Sequence, residues 1–447
     1  MSQAESRSGA TSHRKARAFA YVTHGTDVTY RGPMRFPAIV SLAAVVAAPL
    51  TALPVAPSAA SEPPTRTARQ ITFTQWDKGE QWRKGTLSGV RVGKGRLLIK
   101  QPEGRRHVDG RSYDAAHWDS PWATPGFDLT RLIASWSAAT PGDSWVEIRV
   151  RGRNAAGRTS SWDVLGRWTS GDRHLKRRTI SGQGDDLASV NVDTWESRGL
   201  RSHQLRVTLL RRSGASYTPA LDAVGAMASR VPAGAGATSK PGPATGTTLD
   251  VPRYSQMTHS GHYPRWGGGG QAWCSPTSTS MVLAYYDALP GPKAYAWVGN
   301  GHPAPWVDHA ARMTYDYDYD GAGNWPFNTA YAARLAGKAF VTRLRSLREA
   351  ERFILAGIPV VASISFGRGE LEGAPISATN GHLLVIVGFT RSGHVVVNDP
   401  AASRASGVRR VYKRGQLERA WLGGSGGTTY VIHDAKHPLP GGRHSNW

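Results

Sequence analysis

The sequence predicts two domains of different classes, an all-β sandwich followed by an α+β domain. Residues 61–230 contain short apolar–polar alternations separated by Gly, Asp and Ser turns, which is typical of strands. Residues 249–435 place helical segments first and a group of strands after them. Residues 231–248, rich in Gly, Pro, Ala and Thr, lie between the two patterns and predict a flexible linker. A chain of 447 residues is long enough for this arrangement.

Residues 1–60 have the pattern of a leader with a secretory signal peptide. An apolar run over 36–54 follows arginines and is followed by small residues up to Ala60. Prolines inside the run disfavour a membrane-spanning helix, and Met34 is an alternative start. We therefore expect a secreted protein, extracellular or associated with the cell wall, with no membrane segment after cleavage.

In the first domain, alternation is clearest in four segments, which favour a β-sandwich of jelly-roll type: 71–76, 145–153, 162–168 and 203–212. Many of the 16 tryptophans of the chain fall in this domain. Trp can stack on sugars, but filling of the core between two sheets is the preferred interpretation. Trp118 and Trp122, in a turn-rich stretch, are predicted to be the more exposed ones.

The charge is strongly positive, with 55 Lys+Arg against 32 Asp+Glu and a net charge of +23. The excess is spread along the chain, and no zinc-finger spacing, RNA-binding signature or basic helix accompanies it. We therefore expect no nucleic-acid partner, whereas attraction to anionic cell-wall polymers needs no specific motif.

The second domain is predicted to contain three helices and four strands, over 275–289, 328–337, 346–357 and over 360–365, 382–390, 394–400, 428–433. The last residues, 436–447, are predicted to be a flexible tail.

The sequence has one cysteine, Cys274, which excludes an intramolecular disulfide and a cysteine-rich zinc site. Ser275 is a suitable helix cap and Pro276 suits a first turn, so Cys274 is predicted at a helix N-terminus. The positive end of the helix dipole favours a thiolate there. The preceding Gly267–Gly270 run permits close approach of a substrate. An inert buried cysteine is the alternative, but export and this position favour a nucleophile.

A base for this thiol is predicted from a β-hairpin. His382 begins one strand, the chain turns near Gly393, and Asp399 ends the return strand. The two ends of a hairpin meet, so His382 and Asp399 are expected to be neighbours, as an imidazole and its orienting carboxylate should be. The alternative is a strand-end histidine with a backbone partner and an aspartate that caps a turn.

Other polar motifs give weaker signals, namely His259, His262, His302, His309 and His394. The segment DYDYDG at 316–321 begins like a calcium loop, but position twelve is Phe327 rather than Glu, so we predict a polar turn. We expect neither a metal nor an organic cofactor.

Several segments together resemble cysteine-peptidase family thirty-nine, the bacteriocin-processing or double-glycine type, and its stand-alone relatives. The resemblance covers roughly 250–432 and rests on VPRYSQ (251–256), WCSPTSTSMVL (273–283), GIPVVASI (357–364), NGHLLVIVGF (380–389) and VVVNDPA (395–401). It implies a papain-like fold with Cys274 as nucleophile, His382 as base and Asp399 as orienting group.

The family also has a glutamine before the cysteine that donates to the oxyanion. Gln256 has the family context, with 257–270 as an inserted loop, whereas Gln271 is nearer to the cysteine; Gln256 is preferred. Ser275 departs from the glycine that is common in the family. Leader-peptide cleavage is not carried over, because the sequence has no transporter domain. The residues expected to contact substrate are Gln271, Trp273, Asn324 and Trp325.

The leading hypothesis is a secreted papain-like cysteine peptidase or amidase that acts on a peptide or protein through a thioester. One alternative is a cell-wall or glycan-binding protein with an inactive peptidase-like domain. Another is hydrolysis of peptidoglycan peptides, with the sandwich as an anchor.

Overall fold

The structure is a computed structural model, and it describes residues 68–185, 187–442 and 444–447. The predicted leader, signal peptide and alternative start lie outside the described residues.

The first domain consists almost entirely of strands, as predicted. Its elements are β1 (Gln70–Trp76), α1 (Gly79–Arg83), β2 (Thr86–Ser88), β3 (Val90–Gly93), β4 (Arg96–Ile99), β5 (Gly104–Val108), β6 (Arg111–Asp119), β7 (Leu129–Ala139), β8 (Ser144–Arg153), β9 (Asp163–Trp168), β10 (Ala188–Asn191), β11 (Thr194–Leu200), β12 (Ser202–Arg212) and β13 (Ala220–Arg230). The four strands expected from alternation correspond to β1, β8, β9 and β12.

These strands form two antiparallel sheets that share one apolar core, within the part of the chain that the structure describes. One sheet has the order β10-β11-β7-β13-β4-β3 with β1 beside β13, and the other β2-β6-β12-β8-β9 with β5 beside β6. Tryptophans join the two sheets, since Trp136 of β7 contacts Trp168 of β9 edge to face. The arrangement is a β-sandwich, as expected.

The predicted exposure of Trp118 is wrong. Its side chain is fully buried, packs edge-on against Trp76 and Trp82, and donates its indole N–H to the carbonyl of Trp82. Its position on β6, which faces the core, outweighs the turn residues that follow it. Trp122 is half-buried and stacks with Arg151 and Arg153.

The second domain alternates helices and strands more than the sequence pattern indicated. Its elements are α2 (Cys274–Tyr285), α3 (Pro292–Tyr295), α4 (Pro305–Thr314), α5 (Trp325–Ala336), β14 (Lys338–Arg343), α6 (Leu347–Leu355), β15 (Val360–Phe366), β16 (Thr379–Phe389), β17 (Val395–Asn398), β18 (Arg409–Tyr412), α7 (Arg414–Gly424) and β19 (Thr428–His433). A short 3₁₀ helix, Gln256–His259, precedes them.

The strands of this domain form an antiparallel sheet of order β14-β19-β15-β16-β17-β18, covered by helices on both faces. Alternate side chains along β16 enter two different cores. Leu383 and Val385 share a core with α2 and α5, whereas Leu384 and Ile386 share a core with α6 and α7. The sheet is therefore buried on both sides, which explains the continuous apolar run of β16.

The predicted flexible linker, 231–248, is held against the second domain. Arg414 donates to the carbonyl and hydroxyl oxygens of Ser239, and Glu351 accepts from the backbone N–H of Gly242. Arg414 and Glu351 are buried and paired at 2.8 Å, and Ala244 is fully buried. Apart from Val231, the apolar residues of the segment are only Ala and Pro, but buried charges bind its backbone, and composition does not reveal that.

The tail was also predicted to be flexible, and the structure shows otherwise. Asn446 is fully buried and donates its amide to the carbonyl of Arg343 and to Glu349. The backbone N–H of Phe73 donates to Ser445, and the ring of Trp447 packs on Phe353. The tail is thereby anchored against both domains.

Buried polar contacts join the sandwich to the second domain. Asp316, fully buried in the DYDYDG turn, accepts hydrogen bonds from the backbone N–H and hydroxyl of Thr179 and from the amide of Asn324. Arg177, also buried, donates to the carbonyls of Arg312 and Tyr315. The segment forms the predicted polar turn, and it contributes to the domain interface.

The described residues contain no helix that is both long and apolar enough to cross a membrane.

We predict that Asp316→Ala destabilises the protein by about 3 kcal/mol, because it leaves buried donors of both domains without an acceptor. The measurement is urea unfolding, followed by fluorescence. The control is Asp318→Ala in the same turn, where the side chain is exposed and a change within about 0.5 kcal/mol is expected. Equal effects of the two substitutions would contradict the interface described here.

Candidate active site

Cys274 is the first residue of α2, and it is partly exposed. The residue before the helix is Trp273, so the predicted cap at Ser275 is wrong: the Ser275 hydroxyl lies inside the first turn and pairs with the hydroxyl of Tyr430 at 2.8 Å. The prediction of a helix N-terminus is nevertheless correct. The N–H groups of this first turn have no carbonyl partner within the helix and give its start a partial positive charge.

The position of α2 against the sheet brings Cys274 to the strand that contains His382. The Ser278 hydroxyl, one turn into α2, donates to the carbonyl of Leu383 at 3.1 Å. Residues 275–283 are all buried, whereas Cys274 alone among the first ten residues of α2 is partly exposed. The helix thus presents one reactive side chain at its start.

His382 and Asp399 form the expected pair at the open end of the hairpin. The Nε2 atom of His382 lies 2.8 Å from Oδ1 of Asp399, and both residues are buried. In the antiparallel pairing of β16 with β17, Val385 lies opposite Asn398. His382 precedes Val385 and Asp399 follows Asn398, so both residues lie at the same end of the paired segment. The partner of His382 is thus the side-chain carboxylate of Asp399, and not the backbone group of the alternative hypothesis.

Asp399 accepts two further hydrogen bonds that fix its orientation. The backbone N–H of Ala401 donates to Oδ1 at 3.0 Å, and the hydroxyl of Tyr412 donates to Oδ2 at 2.7 Å. Tyr412 belongs to β18 and was missed by the sequence reasoning. Only the pairing of β17 with β18 places it here, and no motif in the sequence indicates that pairing.

The electrostatics favour an ionised pair. Burial alone would lower the pKa of His382, but the charge and hydrogen bond of Asp399, with a contribution from the neighbouring Cys274, raise it to about 10. Burial would raise the pKa of Asp399, but His382, Tyr412 and the N–H of Ala401 hold it below its ordinary value. His382 is therefore an imidazolium at neutral pH, beside the Cys274 thiol.

The two candidate glutamines have different environments. Gln256 is buried, and its Nε2 donates to the carbonyl of Gln271 at 2.6 Å, three residues before Cys274. The side chain of Gln271 is exposed and donates back to the carbonyl of Gly268. Gln256 thus reaches the segment that leads into the cysteine, whereas the Gln271 amide supports the glycine-rich loop.

Three of the residues expected to contact substrate are structural instead. Trp273 is fully buried and donates its indole N–H to the carbonyl of Trp266. Asn324 is buried and caps α5 by accepting from the N–H of Phe327, and the backbone N–H of Trp325 donates to Asp193. Trp325 is 9% exposed. An aromatic or amide side chain beside glycine residues is a weak indication of substrate contact, since helix caps and apolar cores use the same residue types.

Among the described residues, one group has side chains spaced to hold a metal ion, and its members are His259, His262 and Asp308. Cys274, His382 and Asp399 are not part of it. His394, at the hairpin turn, is exposed and lies at the other end of the hairpin from Asp399.

Comparisons with known proteins give a family match for each of the two domains. Residues 72–229 match the Peptidase C39 N-terminal domain, and residues 248–428 match the Peptidase_C39 like family. A search of curated proteins gives no match. A solved structure of a LamA variant from Z. galactanivorans, in complex with laminaritriose and laminaritetraose, is 11% identical with a TM-score of 0.16, covering 36% of this chain and 92% of its own.

The two family matches correspond to the sandwich and to the domain that contains Cys274, His382 and Asp399, and together they span most of the chain. The sequence resemblance to cysteine-peptidase family thirty-nine is thereby confirmed. The second domain is thus similar to the Peptidase_C39 like family, and the sandwich is similar to the Peptidase C39 N-terminal domain.

Proposed function

We propose that this protein is a papain-like cysteine peptidase or amidase that acts outside the cell and hydrolyses peptide or amide bonds through Cys274, His382 and Asp399. The observation that supports it most is the buried hydrogen bond between His382 and Asp399 beside a half-exposed cysteine at a helix start. A thiol nucleophile needs this combination of a base and an orienting carboxylate.

The resting site is a thiolate and imidazolium pair. Asp399 accepts from Nε2 of His382, which leaves Nδ1 to exchange a proton with Cys274. The raised pKa of His382 keeps the ring protonated at neutral pH, and the start of α2 favours negative charge on the sulfur. The nucleophile is thus formed before the substrate binds.

In the first step, the Cys274 sulfur attacks the carbonyl carbon of the scissile bond and forms a tetrahedral intermediate. The imidazolium of His382 then transfers its proton to the leaving nitrogen, the C–N bond breaks, and a thioester remains. In the second step, neutral His382 removes a proton from water, the resulting hydroxide attacks the thioester, and the acid is released. The thiolate and the imidazolium are thereby restored.

The oxyanion of the intermediate needs hydrogen-bond donors. The backbone N–H of Cys274 is at the free end of α2, and Gln256 has a second Nε2 hydrogen besides the one donated to Gln271. We assign both donors to the oxyanion.

The papain-like fold is part of this proposal. A helix that begins with the cysteine packs on one face of an antiparallel sheet, and the histidine lies on the adjacent strand β16. The contact between Ser278 and Leu383 supports this arrangement.

We predict that iodoacetamide alkylates Cys274 faster than a free thiol at pH 6 to 7, because the His382 imidazolium stabilises the thiolate. Asp399→Asn removes the main cause of the raised His382 pKa, so the ring loses its charge at lower pH and alkylation at pH 6 to 7 should slow about tenfold or more.

The matched control is Asp434→Asn, which removes another carboxylate that pairs with a histidine, His437, at 2.7 Å. It should leave alkylation unchanged. If wild type and Asp399→Asn react alike and no faster than a free thiol, the peptidase proposal fails, and a binding protein with an inactive peptidase-like domain becomes the better description.

We predict that Gln256→Ala lowers kcat for a cleaved peptide about 10²- to 10³-fold, the usual cost of one oxyanion donor, with a much smaller change in KM. Gln271→Ala, the control, should change kcat by less than about threefold, because its amide bonds the glycine-rich loop. Steady-state kinetics on the same peptide measures both. A larger loss of kcat in Gln271→Ala would reverse the assignment.

A further inference from the structure

A second cluster of polar side chains lies on the loop that precedes Cys274. His259 ends the 3₁₀ helix Gln256–His259, His262 follows it, and both face Asp308 of α4. The Nδ1 atom of His259 lies 2.9 Å from Oδ2 of Asp308, and the Nδ1 atom of His262 lies 3.0 Å from Oδ1. Each residue offers one ligand atom, and these atoms lie within 4.8 Å of one another.

These distances match a shared cation. Zinc binds imidazole nitrogen and carboxylate oxygen at about 2.0–2.2 Å, so two ligand atoms of a tetrahedral ion are separated by about 3.3 Å. The two separations from the Asp308 carboxylate need to widen by a few tenths of an ångström to reach this value, and all the ligand atoms lie within 4.8 Å of one another. Imidazole together with carboxylate is a ligand set that zinc prefers, whereas calcium and magnesium prefer oxygen alone.

Hydrogen bonding within the protein does not fully account for the cluster. His259 and Asp308 are both fully buried, and the Nε2 atom of His259 has no hydrogen-bond partner among the described residues. The contact to Asp308 uses Nδ1 of His259, so the buried Nε2 atom is a polar group that the hydrogen bonds of the cluster leave unsatisfied.

The cluster has an open side toward solvent. The His262 side chain is 19% exposed, and Nδ1 of the half-buried His302 lies 3.1 Å from both of its ring nitrogens. An ion can therefore enter from this side, and a fourth ligand position faces water or His302.

We propose that His259, His262 and Asp308 bind a divalent transition-metal ion, with zinc as the preferred ion. The three residues come from two separate segments, so the ion joins the inserted loop 257–270 to α4. Gly270 packs so closely on the backbone of His259 that a side chain there would collide with it. The ion thus holds the loop between Gln256 and Cys274 in place and takes no part in bond cleavage.

The test is zinc binding by the full chain, measured after chelation, reloading with ZnCl₂ and dialysis. We expect about one zinc per chain by elemental analysis, in the wild type and equally in Cys274→Ala, so that the result does not depend on catalysis. Asp308→Asn and His262→Ala should each weaken zinc affinity at least tenfold. Cobalt(II) loading should give the visible absorption of a tetrahedral site in the wild type and lose it in these two variants.

Two controls keep the result specific. Asp434→Asn alters a histidine–aspartate pair that has no third ligand among the described residues, and His394→Ala removes an exposed histidine; both should bind zinc like the wild type. ZnCl₂ should also raise the Tm of the wild type but not of Asp308→Asn. No zinc retained by the folded wild type, or affinity unchanged in both Asp308→Asn and His262→Ala, would overturn the proposal.

Discussion

The hydrogen bond between His382 and Asp399 is the interaction on which the rest of the site depends. Burying a carboxylate costs several kcal/mol unless donors surround it. Three donors do so here: the His382 ring, the Tyr412 hydroxyl and the N–H of Ala401. Their positions follow from the pairing of β16, β17 and β18, so the register of one sheet sets both the charge and the orientation of the imidazole.

The other half of the site is a helix with an unusual environment. Because α2 lies between the sheet and α4 and α5, its side chains from Ser275 to Leu283 are buried on all sides, including its serines and threonines. Three of these hydroxyls bond to the sheet or to α5: Ser275 with Tyr430, Ser278 with Leu383, and Thr279 with Asn328. The polar residues of this helix thus fix its position, and Cys274 at its start stays accessible.

The sequence was sufficient for the β class of the first domain, the four clearest sandwich strands and the His382–Asp399 pair, because each rests on local periodicity or on hairpin geometry. It was insufficient where long-range contacts decide. The segment 231–248 has a linker's composition, yet the buried Arg414–Glu351 pair binds its backbone. Tyr412 reaches Asp399 only through strand pairing.

Burial explains the other failures. Trp118, Trp273 and Asn324 were predicted near solvent or substrate because turn and glycine-rich segments surround them, but each is fully buried. Large aromatic side chains gain most from the core, and a buried amide at a helix start satisfies backbone N–H groups. The histidines before Cys274 gave too weak a signal because Asp308, which brings them together, is about 50 residues away in the sequence.

The most direct measurement is digestion of a peptide library by the purified wild-type protein and by Cys274→Ala, with fragments identified by mass spectrometry. We expect defined cleavage products for the wild type, none for Cys274→Ala, and wild-type products for the control His394→Ala, whose side chain is exposed at the far end of the hairpin. Cleavage by Cys274→Ala at the wild-type rate would contradict the account.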